Sequence, residues 1–173
     1  CERRGVSATV VLHAGEPMES VCGMTPTGRV VAGPSADLVE VKNDKGLKHL
    51  VLVHHVAYRD HPLVGQELQS RLSFLEEPGV SGVVPVSAHE PGMLAYPTGT
   101  VWTLAEVLAA YAEQGEAPGV KAGLELCYVL GEILAEAAER GFEQGVAFHG
   151  SLDPWRILLK ADGQVVVLGY GVP

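Results

Sequence analysis

Residues 149–159 read HGSLDPWRILL, and residues 165–171 read VVVLGYG. Two short apolar runs, 157–159 and 165–168, lie on either side of the turn residues Ala-Asp-Gly at 161–163. This pattern predicts a β-hairpin. A polar loop that starts at His149 precedes the hairpin, and the sequence Gly-Tyr-Gly follows it. The segment therefore predicts a polar loop that is anchored by a hairpin.

This segment resembles the catalytic loop and metal-binding strand of protein kinases, which read His-Arg-Asp-Leu-x-x-x-Asn and then Asp-Phe-Gly. His149 matches the loop histidine, which is a structural residue in that family. The resemblance implies that Ser151 replaces the catalytic base, that Arg156 replaces the magnesium-binding asparagine and that Gly169 replaces the magnesium-binding aspartate. It implies that the kinase backbone framework is retained and that the catalytic groups are absent.

The resemblance covers most of the chain from about Gly28 onward. It implies strands at residues 37–43, 49–56, 85–87 and 92–100 and a helix at 66–75. The lysine that binds nucleotide in kinases lies near the end of the third strand, where this sequence has His54 and His55. Glu67 matches the helix glutamate that pairs with this lysine. The implied pair therefore lacks its lysine.

The resemblance implies an α+β, protein-kinase-like fold with a strand-rich N-terminal lobe and a shortened helical C-terminal lobe. We expect a β-rich region with one helix at residues 1–97. We expect a truncated helical region at 98–173, which ends after the strand equivalent to Asp-Phe-Gly. Thr103 with Glu106 forms a capping-box pattern and predicts a helix at 104–113.

A second amphipathic helix is predicted at about residues 118–141, from apolar residues at helical spacing. In complete kinases a central helix of the large lobe covers the equivalent helix. Either this sequence is part of a longer chain, or another surface covers the open apolar face. The candidate partner-binding residues on this helix are Leu126, Leu130, Ile133 and Leu134, and the expected partner is another protein or a second copy in a homodimer.

Composition excludes several classes of protein. The chain has 173 residues, of which 47% are hydrophobic and 19% charged, and this suits a compact domain or two small lobes. No apolar run approaches the roughly 18 residues that a membrane span requires. The formal net charge of −9 argues against nucleic-acid binding, which needs a concentrated basic surface.

The three cysteines, Cys1, Cys22 and Cys127, have neither metal-binding spacing nor an even number for a disulfide framework. This usage fits a reducing compartment, and we expect a cytoplasmic protein. A lipoprotein anchored through Cys1 is the alternative location. We expect no metal and no cofactor.

Several residues offer alternative chemistry. Asp153 is a candidate general base, although an aspartate before Pro154 commonly orders a turn. The local histidines include His54 and His55, whose side chains face opposite ways in a strand and do not easily share one metal ion. The sequence at 33–36, Gly-Pro-Ser-Ala, is a poor phosphate-binding loop, since it has one glycine and its proline lacks an N–H.

Four replaced groups favour a catalytically inactive kinase-like domain, with weak or absent ATP binding, that acts as a protein-interaction or regulatory module. Phosphoryl transfer depends almost entirely on positioning and electrostatic stabilisation. The alternative is an atypical nucleotide-dependent phosphotransferase that uses Glu67, Asp153 and the histidines in the kinase cleft. A third possibility is an unrelated α+β domain, because similar loops do not establish function.

Overall fold

The computed structural model describes residues 10–11 and 17–172. The chain divides into two compact units. The first contains the described residues up to Gly65 together with Val86–Gly99, and the second contains Gln66–Pro85 and the described residues from Thr100 onward. None of the helices in these residues combines the length and apolarity that crossing a bilayer requires.

The first unit contains a five-stranded antiparallel sheet in the order β3-β4-β5-β7-β6. Its strands are β3 (Thr25–Ala32), β4 (Ala36–Lys42), β5 (Lys48–His54), β6 (Ala88–Glu90) and β7 (Met93–Tyr96). Val39 pairs with Val51, and Val51 pairs with Ala95, so the central strands bring branched apolar side chains together. These residues join Val21 in one core cluster. Two further short strands, β1 (Val10–Val11) and β2 (Pro17–Met18), pair antiparallel in a separate two-stranded sheet.

The second unit contains three longer helices and a small sheet. The helices are α2 (Pro62–Glu76), whose first residues belong to the first unit, α3 (Leu104–Glu113) and α4 (Val120–Gly141). The sheet has the order β10-β9-β8, with strands β8 (Val101–Thr103), β9 (Ile157–Lys160) and β10 (Val165–Val167). Its core cluster includes Phe74, Ile133, Ala137, Val167 and Tyr170.

The helix at 104–113 and the hairpin around 161–163 lie where the sequence predicts them. The third strand of the sheet ends earlier than expected, at His54, because the chain turns into α1 (Val56–Arg59). The strand expected at 85–87 is wrong, and the paired residues are Ala88–Glu90. The strand expected at 92–100 ends at Tyr96, since Pro97 has no N–H for the ladder.

Candidate functional site

The polar loop begins where α4 ends. At Gly141 an added Cβ would lie 2.2 Å from the carbonyl oxygen of Val146, so only glycine permits this close return of the chain. The Val146 N–H donates to the Gly141 carbonyl at 2.9 Å. Between them, Gly145 has a φ of 73°, in the left-handed region that glycine adopts without strain. The helix end therefore fixes the direction in which the loop starts.

His149 is a buried structural residue in this loop, with 6% of its surface exposed. Its Nε2 lies 2.9 Å from the carbonyl oxygen of Leu168, and because a carbonyl only accepts, Nε2 carries the proton. Burial, followed by the positive charge of Arg156, lowers the pKa of His149 from 6.5 to about 4. The ring is therefore neutral at pH 7.

An aromatic stack fixes the Gly-Tyr-Gly segment. The Tyr170 ring lies between Phe74 of α2, at a centroid distance of 5.8 Å, and His149, at 5.6 Å in an edge-to-face arrangement. The Tyr170 hydroxyl donates to the carbonyl of Ala147 at 3.2 Å. The Gly171 N–H donates to the His149 carbonyl at 2.9 Å. These contacts attach the residues after the hairpin to the polar loop.

Arg156, which the sequence resemblance matches to the magnesium-binding asparagine, has a fully buried side chain. Its Nη1 donates to the carbonyl of Val172 at 2.8 Å, and its guanidinium carbon lies 4.8 Å from the centre of the Trp155 ring. Its backbone carbonyl accepts from the Leu168 N–H at 2.9 Å. A permanent positive charge therefore lies inside the loop and holds the segment that follows the hairpin.

Ser151 and Asp153 interact with each other. The Ser151 hydroxyl donates to Oδ2 of Asp153 at 2.9 Å, and the Asp153 carbonyl accepts from the Arg156 N–H at 2.9 Å. Asp153 thus orders the turn, as the sequence favours, and it is the only carboxylate in residues 145–156. His149 does not take the Ser151 proton in this geometry, because that hydroxyl donates to Asp153.

Glu67 pairs with a residue of its own helix. Its Oε2 lies 2.5 Å from Nη2 of Arg71, one turn further along α2. Nη1 of Arg71 donates to the carbonyl of Gly171. The positive charge beside Glu67 therefore comes from Arg71, which sequence reasoning missed.

His54 and His55 belong to the first unit and have different surroundings. His54 is buried, and its Nδ1 lies 3.2 Å from the carbonyl oxygen of Gly92. Nε2 of His55 lies 3.2 Å from Oδ1 of the buried Asp37. Among residues 10–11 and 17–172, no three His, Cys, Asp or Glu side chains form a group that could hold a metal ion.

The apolar residues of α4 lie on two sides of the helix. Ile133 is in the core, and Leu130 and Leu134 pack against that core, so these candidate partner-binding residues lie mainly on the core side. Leu126 lines an apolar cavity of about 660 Å³ between α3, α4 and the β9–β10 hairpin. The most exposed apolar side chains of α4 are others, Val120, Leu124 and Tyr128, which the sequence did not distinguish.

Comparisons with known proteins establish the fold. No family model and no curated protein matches the chain. A crystal structure of the PknI kinase domain of Mycobacterium tuberculosis matches with a TM-score of 0.68 and 14% identity, over 94% of this chain and 64% of that domain. A second crystal structure of the same domain matches with a TM-score of 0.68 and 13% identity, over 87% and 59%.

A plant kinase domain also matches. The maize SIRK1 kinase domain bound to AMP-PNP gives a TM-score of 0.57 and 12% identity, over 83% of this chain and 50% of that domain. The chain therefore has a protein-kinase-like α+β fold, as the motif resemblance implies, and it is shortened relative to a kinase domain. It spans less than two thirds of the length of these solved domains.

Proposed function

We propose that this chain is a catalytically inactive kinase-like domain that acts as a protein-interaction or regulatory module. The observation that carries the proposal is the position of Arg156. The motif match assigns Arg156 to the position of a kinase magnesium ligand, but its guanidinium is buried, and its nitrogens donate hydrogen bonds and cannot ligate a cation. The residues at this position do not fit a bound magnesium ion.

The electrostatics of the loop support the same conclusion. The positive charge that lowers the pKa of His149 would also repel a divalent cation placed nearby. Gly169 supplies no carboxylate to offset that charge. Oxygen ligands with negative charge are what magnesium needs.

The nucleotide-binding groups are replaced as well. His54 is buried against the Gly92 carbonyl and His55 pairs with Asp37, so neither offers the flexible ammonium with which kinases contact phosphate. Glu67 is paired with Arg71. At these motif-matched positions there is therefore no lysine–glutamate pair of the kind on which active kinases depend.

The exposed apolar surface of the second unit supports a role in interaction. No residue of α3 is buried, and only Ile133, Ala137 and Gly141 are buried in α4. Helices with apolar faces of this kind are normally covered by another element or by a partner.

The free cysteines, Cys22 and Cys127, support the proposed cytoplasmic location.

Two measurements test the proposal. The first is the melting temperature with ATP and magnesium, with magnesium alone and with neither. A ligand at about 100 times its Kd stabilises the native state by about 2.7 kcal/mol, which raises Tm by about 5–10 °C for a chain of this size. We expect no such shift at millimolar ATP.

The second measurement is phosphoryl transfer by the wild type and by the double variant Ser151→Asp/Gly169→Asp. We expect neither to transfer phosphate, because Arg156 and the missing lysine remain and catalytic groups act as a unit. Gly169 has a φ of 64°, which aspartate tolerates better than most residues, and circular dichroism checks that the variant folds. Magnesium-dependent transfer by the wild type would favour the alternative phosphotransferase.

A further inference from the structure

Helix α4 carries a second apolar face in addition to its core face. Val120, Leu124 and Tyr128 are spaced four residues apart, so they form one stripe along the helix. Their side chains are 80%, 66% and 67% exposed. The buried residues of the helix, Ile133, Ala137 and Gly141, lie on a different side. The stripe therefore does not contribute to the core of its own unit.

The same face continues with small residues toward the C-terminal end of the helix. Cys127, Gly131 and Ala135 are also four residues apart, and all three are exposed. A Cβ added at Gly131 would meet no atom within 4 Å. We call these six positions the α4 outer face. Its N-terminal part is bulky, and its C-terminal part is flat.

This division makes the α4 outer face complementary to itself when two helices run antiparallel. With a two-fold axis near Cys127 and Tyr128, Val120 lies opposite Ala135 of the second copy, and Leu124 lies opposite Gly131. Each large side chain then meets a small one, as close helix packing requires. A parallel arrangement in register would instead place the large residues against each other.

The charges beside this face agree with the same register. Lys121 and Glu132 lie along the same edge of the α4 outer face. In an antiparallel pair related by a two-fold axis, this edge of one copy runs beside the same edge of the other copy. Lys121 of one copy then lies close to Glu132 of the other, whose carboxylate in the single chain accepts from the exposed Tyr128 hydroxyl at 2.7 Å. In the single chain Lys121 makes an exposed contact with Glu125, at 3.7 Å, which it can leave at little cost.

We propose that the partner of this domain is a second copy of itself, which packs antiparallel through the α4 outer face. This inference rests on the proposed function, since it names the partner of the interaction module. The contact from Val120 to Ala135 is about 24 Å long at 1.5 Å per residue. One helix pair of this length buries less than the roughly 1,200 Å² of a typical stable interface, so the dimer is weak and depends on concentration.

The test uses sedimentation equilibrium of the whole chain over a wide concentration range. The decisive variant is Gly131→Leu, which fills the space that Leu124 of the second copy needs. Leucine also favours helix over glycine, so the variant monomer folds at least as well as the wild type. Gly65→Leu makes the same change at an exposed position of α2, where an added Cβ also meets nothing within 4 Å.

We expect Gly131→Leu to raise the dimer dissociation constant by about tenfold or more, and Gly65→Leu to leave it unchanged. Lys121→Glu and Glu132→Lys should each weaken the dimer, and the double variant should restore it. A wild type that stays monomeric, a dimer that survives Gly131→Leu, or single charge changes that the double variant does not rescue would each overturn the inference.

The outcome is separate from that of the proposed function. If the protein is monomeric and shows neither ATP-dependent stabilisation nor phosphoryl transfer, the dimer proposal is refuted and the proposal of an inactive kinase-like domain stands. If the protein is a dimer that transfers phosphate, the proposal of an inactive domain is refuted and the α4 contact stands.

Discussion

The neutral, buried His149 makes the stability of this protein depend on pH. Its folded pKa is about 4 and its ordinary value is 6.5. The stabilising effect of keeping the ring neutral is therefore fully present above about pH 6.5. It is lost progressively as the pH falls from 6.5 to 4, because over this range the unfolded chain binds a proton that the folded chain does not.

The magnitude follows from the difference between the two pKa values. One pKa unit corresponds to about 1.4 kcal/mol, so a shift of roughly 2.5 units gives about 3 kcal/mol of unfolding free energy between pH 7 and pH 4. Burial is the first cause, and Arg156 is the second. An effect of this size is large against the total stability of roughly 5–15 kcal/mol that is usual for a domain.

The variant His149→Gln isolates this effect, because glutamine does not titrate and its amide can still donate to the Leu168 carbonyl. Urea unfolding of the wild type and the variant at steps from pH 4 to pH 8 gives the difference in unfolding free energy. We expect the wild type to be more stable at pH 7 and the difference to shrink by about 3 kcal/mol by pH 4. A difference that stays constant with pH, or an imidazole that titrates near 6.5 by NMR in the folded protein, would refute the reasoning.

Two further predictions concern polar contacts outside the loop. Burial alone would raise the pKa of Glu40, but hydrogen bonds from Thr27, Lys48 and Arg29 outweigh it and lower the pKa. The stability that the Glu40 carboxylate provides is therefore present above pH 4.5 and lost as the pH falls through the folded pKa. Glu40→Gln should lower the free energy of urea unfolding by about 1–2 kcal/mol at pH 7 and by less at pH 3. Thr103→Ala removes the hydroxyl that caps the start of α3 and should lower the unfolding free energy by about 1–2 kcal/mol. Thr103→Ser keeps the hydroxyl and should lower it by less. Equal losses of unfolding free energy in the two variants would contradict the capping role.

The elements that the sequence predicts well are those whose signals are local. The capping box at Thr103 and Glu106 defines the start of α3, and the turn at 161–163 places the hairpin between β9 and β10. The fourth strand of the large sheet was misplaced because it has no local signal. Only its pairing with β7 defines Ala88–Glu90 as a strand.

The candidate site shows the same limit. Motif spacing places His149, Ser151 and Arg156 in one loop, and the structure has them there. It does not reveal that Arg71 binds the Gly171 carbonyl, because those residues are 100 positions apart. Apolar periodicity also predicts α4 without showing which of its apolar residues are covered, since such residues extend around most of the helix.

The placement of Arg156 explains why restoring single catalytic groups is expected to fail. The guanidinium donates to the Val172 carbonyl and packs beside Trp155, so it is a buried structural group of the second unit. Arg156→Asn would return the kinase ligand type but would leave that buried carbonyl without its donor and the space beside Trp155 unfilled. Restoring the metal site would therefore reduce stability in the same loop that must position the metal. On this argument the proposed loss of catalysis is maintained by packing as well as by missing chemical groups.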